Sequence, residues 1–262
     1  MRSQTARFLS DPNSSLLKVT SDDGPKQDAL AGLAGHLRTA DLYWATEDMT
    51  ALAMHSGAQL AAARWSTADR PSPAGMIWWE GGIGNIDSNG VAIPVEACVW
   101  GPYRGELMVW CLMSRKRLAH EMERNGAPPV LAGEEVPPLL PIAGDTLPVS
   151  DTVSFAGLDA TSPTILAALA AAWLLLQQPQ LVDRREEHPS SSERRSIRRA
   201  GLPDNGVRIV GISVASTCRR TGMQRASRAA ATGTGGLCRG TGAIRRTGRK
   251  GPCADKPGSR PT

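Results

Sequence analysis

Gly75-Met-Ile-Trp-Trp-Glu80, Val91-Ala-Ile-Pro-Val-Glu-Ala-Cys-Val-Trp100 and Glu106-Leu-Met-Val-Trp-Cys-Leu-Met113 are short apolar runs rich in β-branched and aromatic residues. Gly81-Gly82, Asn85, Asp87-Ser-Asn-Gly90 and Gly101-Pro102 fill the gaps between them. Runs of this length between turn-forming residues read as strands joined in an antiparallel meander. Pro94 carries no N–H, so the middle run has to bulge there or lie partly at an edge.

Outward from the meander the periodicity becomes helical. Thr46 can cap free N–H groups, and Glu47 and Asp48 sit at the positive end of the helix that Met49, Leu52, Ala53, Ser56 and Leu60 extend to about Ala63. A short strand, Asp41-Leu-Tyr-Trp-Ala45, precedes it. On the other side, Ser114 to Asn125 is a short basic helix. Ala127 to Thr161 is a Pro- and Gly-rich connection with one strand at Thr152 to Phe155, long enough to be a surface excursion or a functional loop.

Ser162-Pro163 is a strong helix start, because proline at the first helical position gives up an N–H that has no partner there. Thr164 to Leu176 is apolar on every side and ends before Pro179, which predicts the central helix packed on the sheet. Asp183 to His188 reads as a charged break. Ser190-Ser-Ser-Glu193 then offers a capping box for a short helix ending at Gly201-Leu-Pro203, and Val207 to Val214 alternates like a half-buried strand. The expected class is α/β (α+β): an antiparallel meander sheet packed on a central apolar helix, in one domain over residues 40–215. Residues 1–38 mix Ser, Asp, Pro, Lys and Gly. Their apolar patches, Leu16–Leu17 and Leu30–Leu37, support only a marginal helix, so this stretch reads as a flexible N-terminal arm.

Of 262 residues, 41% are hydrophobic, enough for a core, and 30 basic against 25 acidic residues give a net +5. The excess is local. Residues 216–262 carry eleven Lys or Arg against the single acid Asp255, a net +10, which leaves the first 215 residues at −5. This Arg-, Gly- and Thr-rich segment has no Phe, Trp or Tyr and cannot offset the entropy of ordering, so it is expected to be a disordered basic tail. The first residues hold no apolar run long enough for a signal peptide, and Pro163–Leu176 is too short to cross a bilayer. A cytoplasmic protein with no membrane partner is the expectation.

Five cysteines form no CxxC pair and have no histidine at metal-ligand spacing, so neither a metal site nor a cofactor is expected. Cys98 and Cys111 can face each other across a hairpin, where a reducing cytosol makes them packing residues. His36, His55, His120 and His188 fall in different elements and assemble no triad. Gly81-Gly-Ile-Gly84 follows a strand but no helix comes after it, so it reads as a hairpin loop and not a phosphate cradle.

The patch with functional promise is Arg194, Arg195, Arg198 and Arg199, which the helical repeat sets on one broad face suited to phosphate contacts. Against it stands a solvated helix side neutralised by Glu186, Glu187 and Glu193. Seven tryptophans, Trp44, Trp65, Trp78, Trp79, Trp100, Trp110 and Trp173, could stack on bases, although their strand and helix contexts make most of them core. An enzyme is the competing reading. It would place an acid or base, Glu80, Glu96 or Asp151, in a cleft between the meander and the Pro-rich loop.

Leu42-Tyr43-Trp44, Pro73-Ala-Gly-Met-Ile77, the run from Trp173 to Arg184, and Arg194 to Gly201 followed by the strand at Val207 resemble a family of actinobacterial chromosomes, plasmids and phages. The likeness covers roughly residues 40–215. It implies a mobile-element context, in which many small accessory proteins handle nucleic acid, and it brings no catalytic residues. The family continues with a strand of the form YRW and then GHWRNQAYGP, which this chain lacks. Reading the third base of each codon with the first two of the next permits Tyr-Arg-Trp across Gly233 to Gly236. The same reading permits Gly-His-Trp-Arg-Asn-Gln-Ala-Tyr-Gly-Pro across Arg239 to Arg249. The resemblance therefore implies a tail produced by a frameshift near Ser213 to Arg225, with an open sheet edge or an unfilled core face beside Val207–Val214. A non-functional product is a third reading.

Overall fold

The three quoted runs do form an antiparallel set, but one of them is two strands. The computed structural model describes residues 1–19, 23–60, 65–88, 90–126, 136–149, 163–199, 201–203 and 205–213. Strand β2 (Gly75–Trp79) pairs with β5 (Ala97–Tyr103), and β5 with β6 (Glu106–Ser114). The middle run divides at Glu96. Its first half, β4 (Val91–Val95), pairs only with β3 (Gly84–Ser88) in a separate hairpin, where Pro94 needs no second neighbour. Cys98 and Cys111 do face each other across β5 and β6, as buried thiols.

The rest of the sheet is not meander. Strand β1 (Asp41–Ala45) runs parallel to β2 and is joined to it through helix α4 (Glu47–Leu60), a crossover of the βαβ kind. Strand β9 (Val207–Ile212) lies parallel on the other side of β1, and the order is β7-β6-β5-β2-β1-β9-β8. Edge strand β7 (Leu139–Leu147) is a strand that the Pro-rich reading of the connection missed. Pro141 and Gly144 disguise its alternation, yet an edge tolerates the proline, and a Cβ at Gly144 would stand 2.6 Å from the Trp110 ring. Thr152–Phe155 lies outside the described residues.

The charged stretch at Asp183–His188 is likewise no break: Val182–Glu187 is β8, antiparallel to β9 at the opposite edge. Exposed charges suit an edge that must not recruit another strand. Because β1 and β8 occupy both sides of β9, no open edge lies beside Val207–Ile212.

Helix α6 (Pro163–Leu176) packs with α4 on one face of the sheet, and every residue from Ile165 to Trp173 is buried. Trp79, Trp100 and Trp173 sit in that core with Ile77 and Val109. This is the α/β arrangement of a sheet on a central apolar helix, with a second layer added.

That second layer corrects the reading of residues 1–38 as an arm. Helices α1 (Arg2–Phe8), α2 (Ser15–Val19) and α3 (Gly24–Thr39) form there, and Met1–Ala215 is one compact unit. Leu30, Leu33, Ala34 and Leu37 make a single stripe and bury against Met76, Val99, Met108 and Trp110 on the other sheet face. Tertiary burial overrides a weak local propensity. Residues 214–262, with the expected tail and its frameshift, lie outside the described residues.

His36 ends this stripe. Its Nε2–H donates to the Pro102 carbonyl at 2.9 Å, while Nδ1 is buried without a partner among the described residues. Burial holds the imidazole below its ordinary range, and the hydrogen bond to Pro102 offsets this in part. The unfolded chain therefore takes up the proton more readily, near the ordinary value of about 6.5. The stability that His36 contributes is present above that pH and is lost as pH falls through the lowered folded value. The urea midpoint is expected to drop between pH 7.5 and 5.5, and to drop less in His36→Gln, which keeps a donor for Pro102 but does not titrate.

Candidate functional site

Helix α7 (Ser191–Arg199) forms where the capping box predicts it. The Ser190 N–H donates to Glu193 Oε2 at 2.8 Å and the Glu193 N–H to Ser190 Oγ at 3.4 Å. The Ser190 hydroxyl also donates to Glu193, and this bond, first, holds the Glu193 carboxyl below its usual range. At the other end Gly201, at φ 66°, turns the chain, and the Leu202 N–H donates to the Ile197 carbonyl at 3.1 Å.

Arg194, Arg195, Arg198 and Arg199 are all exposed and span an arc of about 140° around α7. Glu193, Ser196 and Ile197 occupy the opposite arc and line a cavity of about 850 Å³. The arginine face and the cavity are thus two sides of one helix. Two of the three nearby acids have partners of their own. Glu193 caps its own helix, Glu187 pairs with Arg185 at 2.6 Å, and Glu186 lies against Gly206.

The cavity is an open groove over β1, β9 and β8, walled by α1 and α7. It is not the cleft beside the Pro-rich loop that an enzyme reading requires. Glu80 lines it but is exposed and accepts from the Glu47 N–H at 3.3 Å, at the start of α4. Glu96 does not line it, and its Oε2 accepts from the Ser114 N–H at 2.8 Å, fixing the end of β6. Asp151 lies outside the described residues. Among the histidines, His188 lines the groove and is exposed, His36 is in the second core, and His55 faces Gln59 on the outside of α4. The structure brings no two of them together.

Five of the tryptophans, Trp65, Trp79, Trp100, Trp110 and Trp173, are core residues. Trp44 and Trp78 are not. They are half-buried neighbours on β1 and β2, stacked with centroids 5.9 Å apart and planes 20° from parallel. Sequence patterning gave no sign of this pair, because alternation assigns a face to a strand residue but not whether a helix covers that face.

Among the described residues no group of three or more His, Cys, Asp or Glu could hold a metal ion, and no helix is long and apolar enough to cross a membrane. Fold and site together define a three-layer α/β protein with an exposed cationic helix beside an open groove. No protein-family model, curated protein or solved structure matches the chain.

Proposed function

We propose that the chain is a non-enzymatic accessory protein that associates with nucleic acid through the arginine face of α7. One observation carries this reading: four arginines share one exposed helical face, within an arc of about 140°. Such a face contacts phosphates and gives affinity without reading sequence. The resemblance to actinobacterial mobile-element proteins supports an accessory role. The structural duties of Glu80 and Glu96 speak against the enzyme reading.

Residues 1–215, the compact unit, are the right sample, since a tail of net +10 would bind any polyanion. Mixed-sequence DNA or RNA is expected to bind at low salt. With all four arginines changed to alanine, affinity should fall and the log–log salt slope should shrink by about one per lost phosphate contact. Binding that is undetectable, or identical in the quadruple variant, ends the proposal.

A further inference from the structure

We propose that the groove over β1, β9 and β8 holds one planar nucleotide base, stacked between Trp44 and Arg185, with its phosphate toward Arg2. This deepens the nucleic-acid reading above but stands on different residues.

The sheet register builds the slot. Trp44 of β1 is level with Ile209 of β9, and Ile209 with Arg185 of β8, so the three side chains share a row and a face. The next row is Leu42, Val207 and Glu187. On this face α3 covers the strands from β2 onward, whereas the rows at β1, β9 and β8 open into the groove. Trp78 takes one face of Trp44 and does not itself line the groove, so the groove meets the other face of Trp44.

Spacing fits one ring. Neighbouring strands lie about 4.8 Å apart, which sets β1 and β8 roughly 9.6 Å apart across Ile209. One aromatic ring in contact on both faces needs about 7–8 Å, and the flexible arginine closes the remainder. Ile209 makes an apolar floor, indole a stacking wall, and guanidinium a planar cation for the opposite wall. The Arg185–Glu187 ion pair is more than half exposed on both sides and competes weakly.

The anion preference comes from α1. Arg2 donates to the Ala40 carbonyl at 3.1 Å and to the Pro203 carbonyl at 3.4 Å. Both acceptors are neutral, and among the described residues Arg2 forms no ion pair. Asn205 and Glu80 line the same groove and offer a donor and an acceptor for base edges.

Residues 1–215, the compact unit, should be titrated with adenosine monophosphate by calorimetry and with a labelled deoxythymidine dodecamer by anisotropy. None of the variants carries the basic tail, so the differences between them report the groove. Trp44→Ala is expected to weaken binding about tenfold or more, and Arg185→Ala about fivefold. Trp44→Phe, which preserves a ring, should stay within about threefold of the parent and keeps the test valid should Trp44→Ala fail to fold. Loss seen with the mononucleotide supports a site that takes free nucleotides. Loss seen only with the dodecamer supports one that takes a base from an unpaired strand. Binding of neither probe, or binding unchanged in both Trp44→Ala and Arg185→Ala, overturns the proposal. Mononucleotide binding abolished by the quadruple arginine variant of α7 also overturns it. Dodecamer binding that survives that quadruple variant but is lost in Trp44→Ala sinks the α7 reading alone.

Discussion

Trp173→Ala is expected to remove about 3–5 kcal/mol of stability and to lower the thermal midpoint by on the order of 10 °C. Trp173 lies on α6 at the point where the helix meets the sheet and is fully buried. Its ring stands edge-on to Trp100 at 5.3 Å and tilted against Trp65 at 6.0 Å, so truncation leaves a cavity that neighbouring rings cannot collapse to fill. Such a loss is a large share of the roughly 5–15 kcal/mol that holds a domain together. Trp173→Phe supplies the control. Trp173 Nε1 has no hydrogen-bond partner among the described residues, so phenylalanine forfeits volume but no bond. Trp100→Phe differs, because Trp100 Nε1 donates to the Ser72 carbonyl at 3.0 Å and its removal strands a buried acceptor. Urea unfolding should therefore rank Trp173→Ala as the most destabilised of the three. Equal midpoints for Trp173→Ala and the parent would mean that α6 does not pack as described.

The features of this fold that the sequence discloses are those decided by neighbouring residues. Ser114 caps α5 (Arg115–Arg124) by accepting from the Arg117 N–H, and α4, α6 and α7 begin at or within a residue of where Thr46, Pro163 and Ser190 point. Misreadings arise where a distant element supplies the stabilisation. Val182–Glu187 is charged throughout its exposed positions and becomes a strand only because β9 presents an open ladder to it. The leucines of α3 have the right spacing, but their polar surroundings make an isolated helix marginal, and it is the sheet face at Met76 and Val99 that fixes it. The groove was beyond reach for the same reason. Its walls come from residues 1–7 and 193–205, nearly the whole domain apart in sequence. The arginine face of α7, in contrast, was legible in full, since helical spacing alone puts those four residues together.

Gly57 gives the sharpest test of how closely α4 and α6 approach. A Cβ there would stand 2.6 Å from the Ala168 nitrogen and 2.7 Å from its Cα, and these are backbone atoms of a buried helix that cannot swing aside. Alanine normally stabilises an exposed helix interior by about 1 kcal/mol relative to glycine, through the smaller backbone entropy it loses on folding. At Gly57 that gain is opposed by overpacking, which typically costs about 1–3 kcal/mol and here has to push the helices away from each other. Gly57→Ala is therefore expected to be destabilising. Gly57→Val, with two further carbons and a β-branch, should cost about 3 kcal/mol or more and leave much of the protein unfolded at 37 °C. Gly35 on α3 is the counterpart, because a Cβ added there meets nothing within 4 Å. Gly35→Ala should raise the urea midpoint, by up to about 1 kcal/mol in stability. Two glycine-to-alanine changes within helices of one chain thus have opposite expected signs, decided by the distance to the opposing backbone. If Gly57→Ala proved as stabilising as Gly35→Ala, the close contact of α4 with α6 would be excluded, and with it the packing that seats Trp173 beneath the sheet.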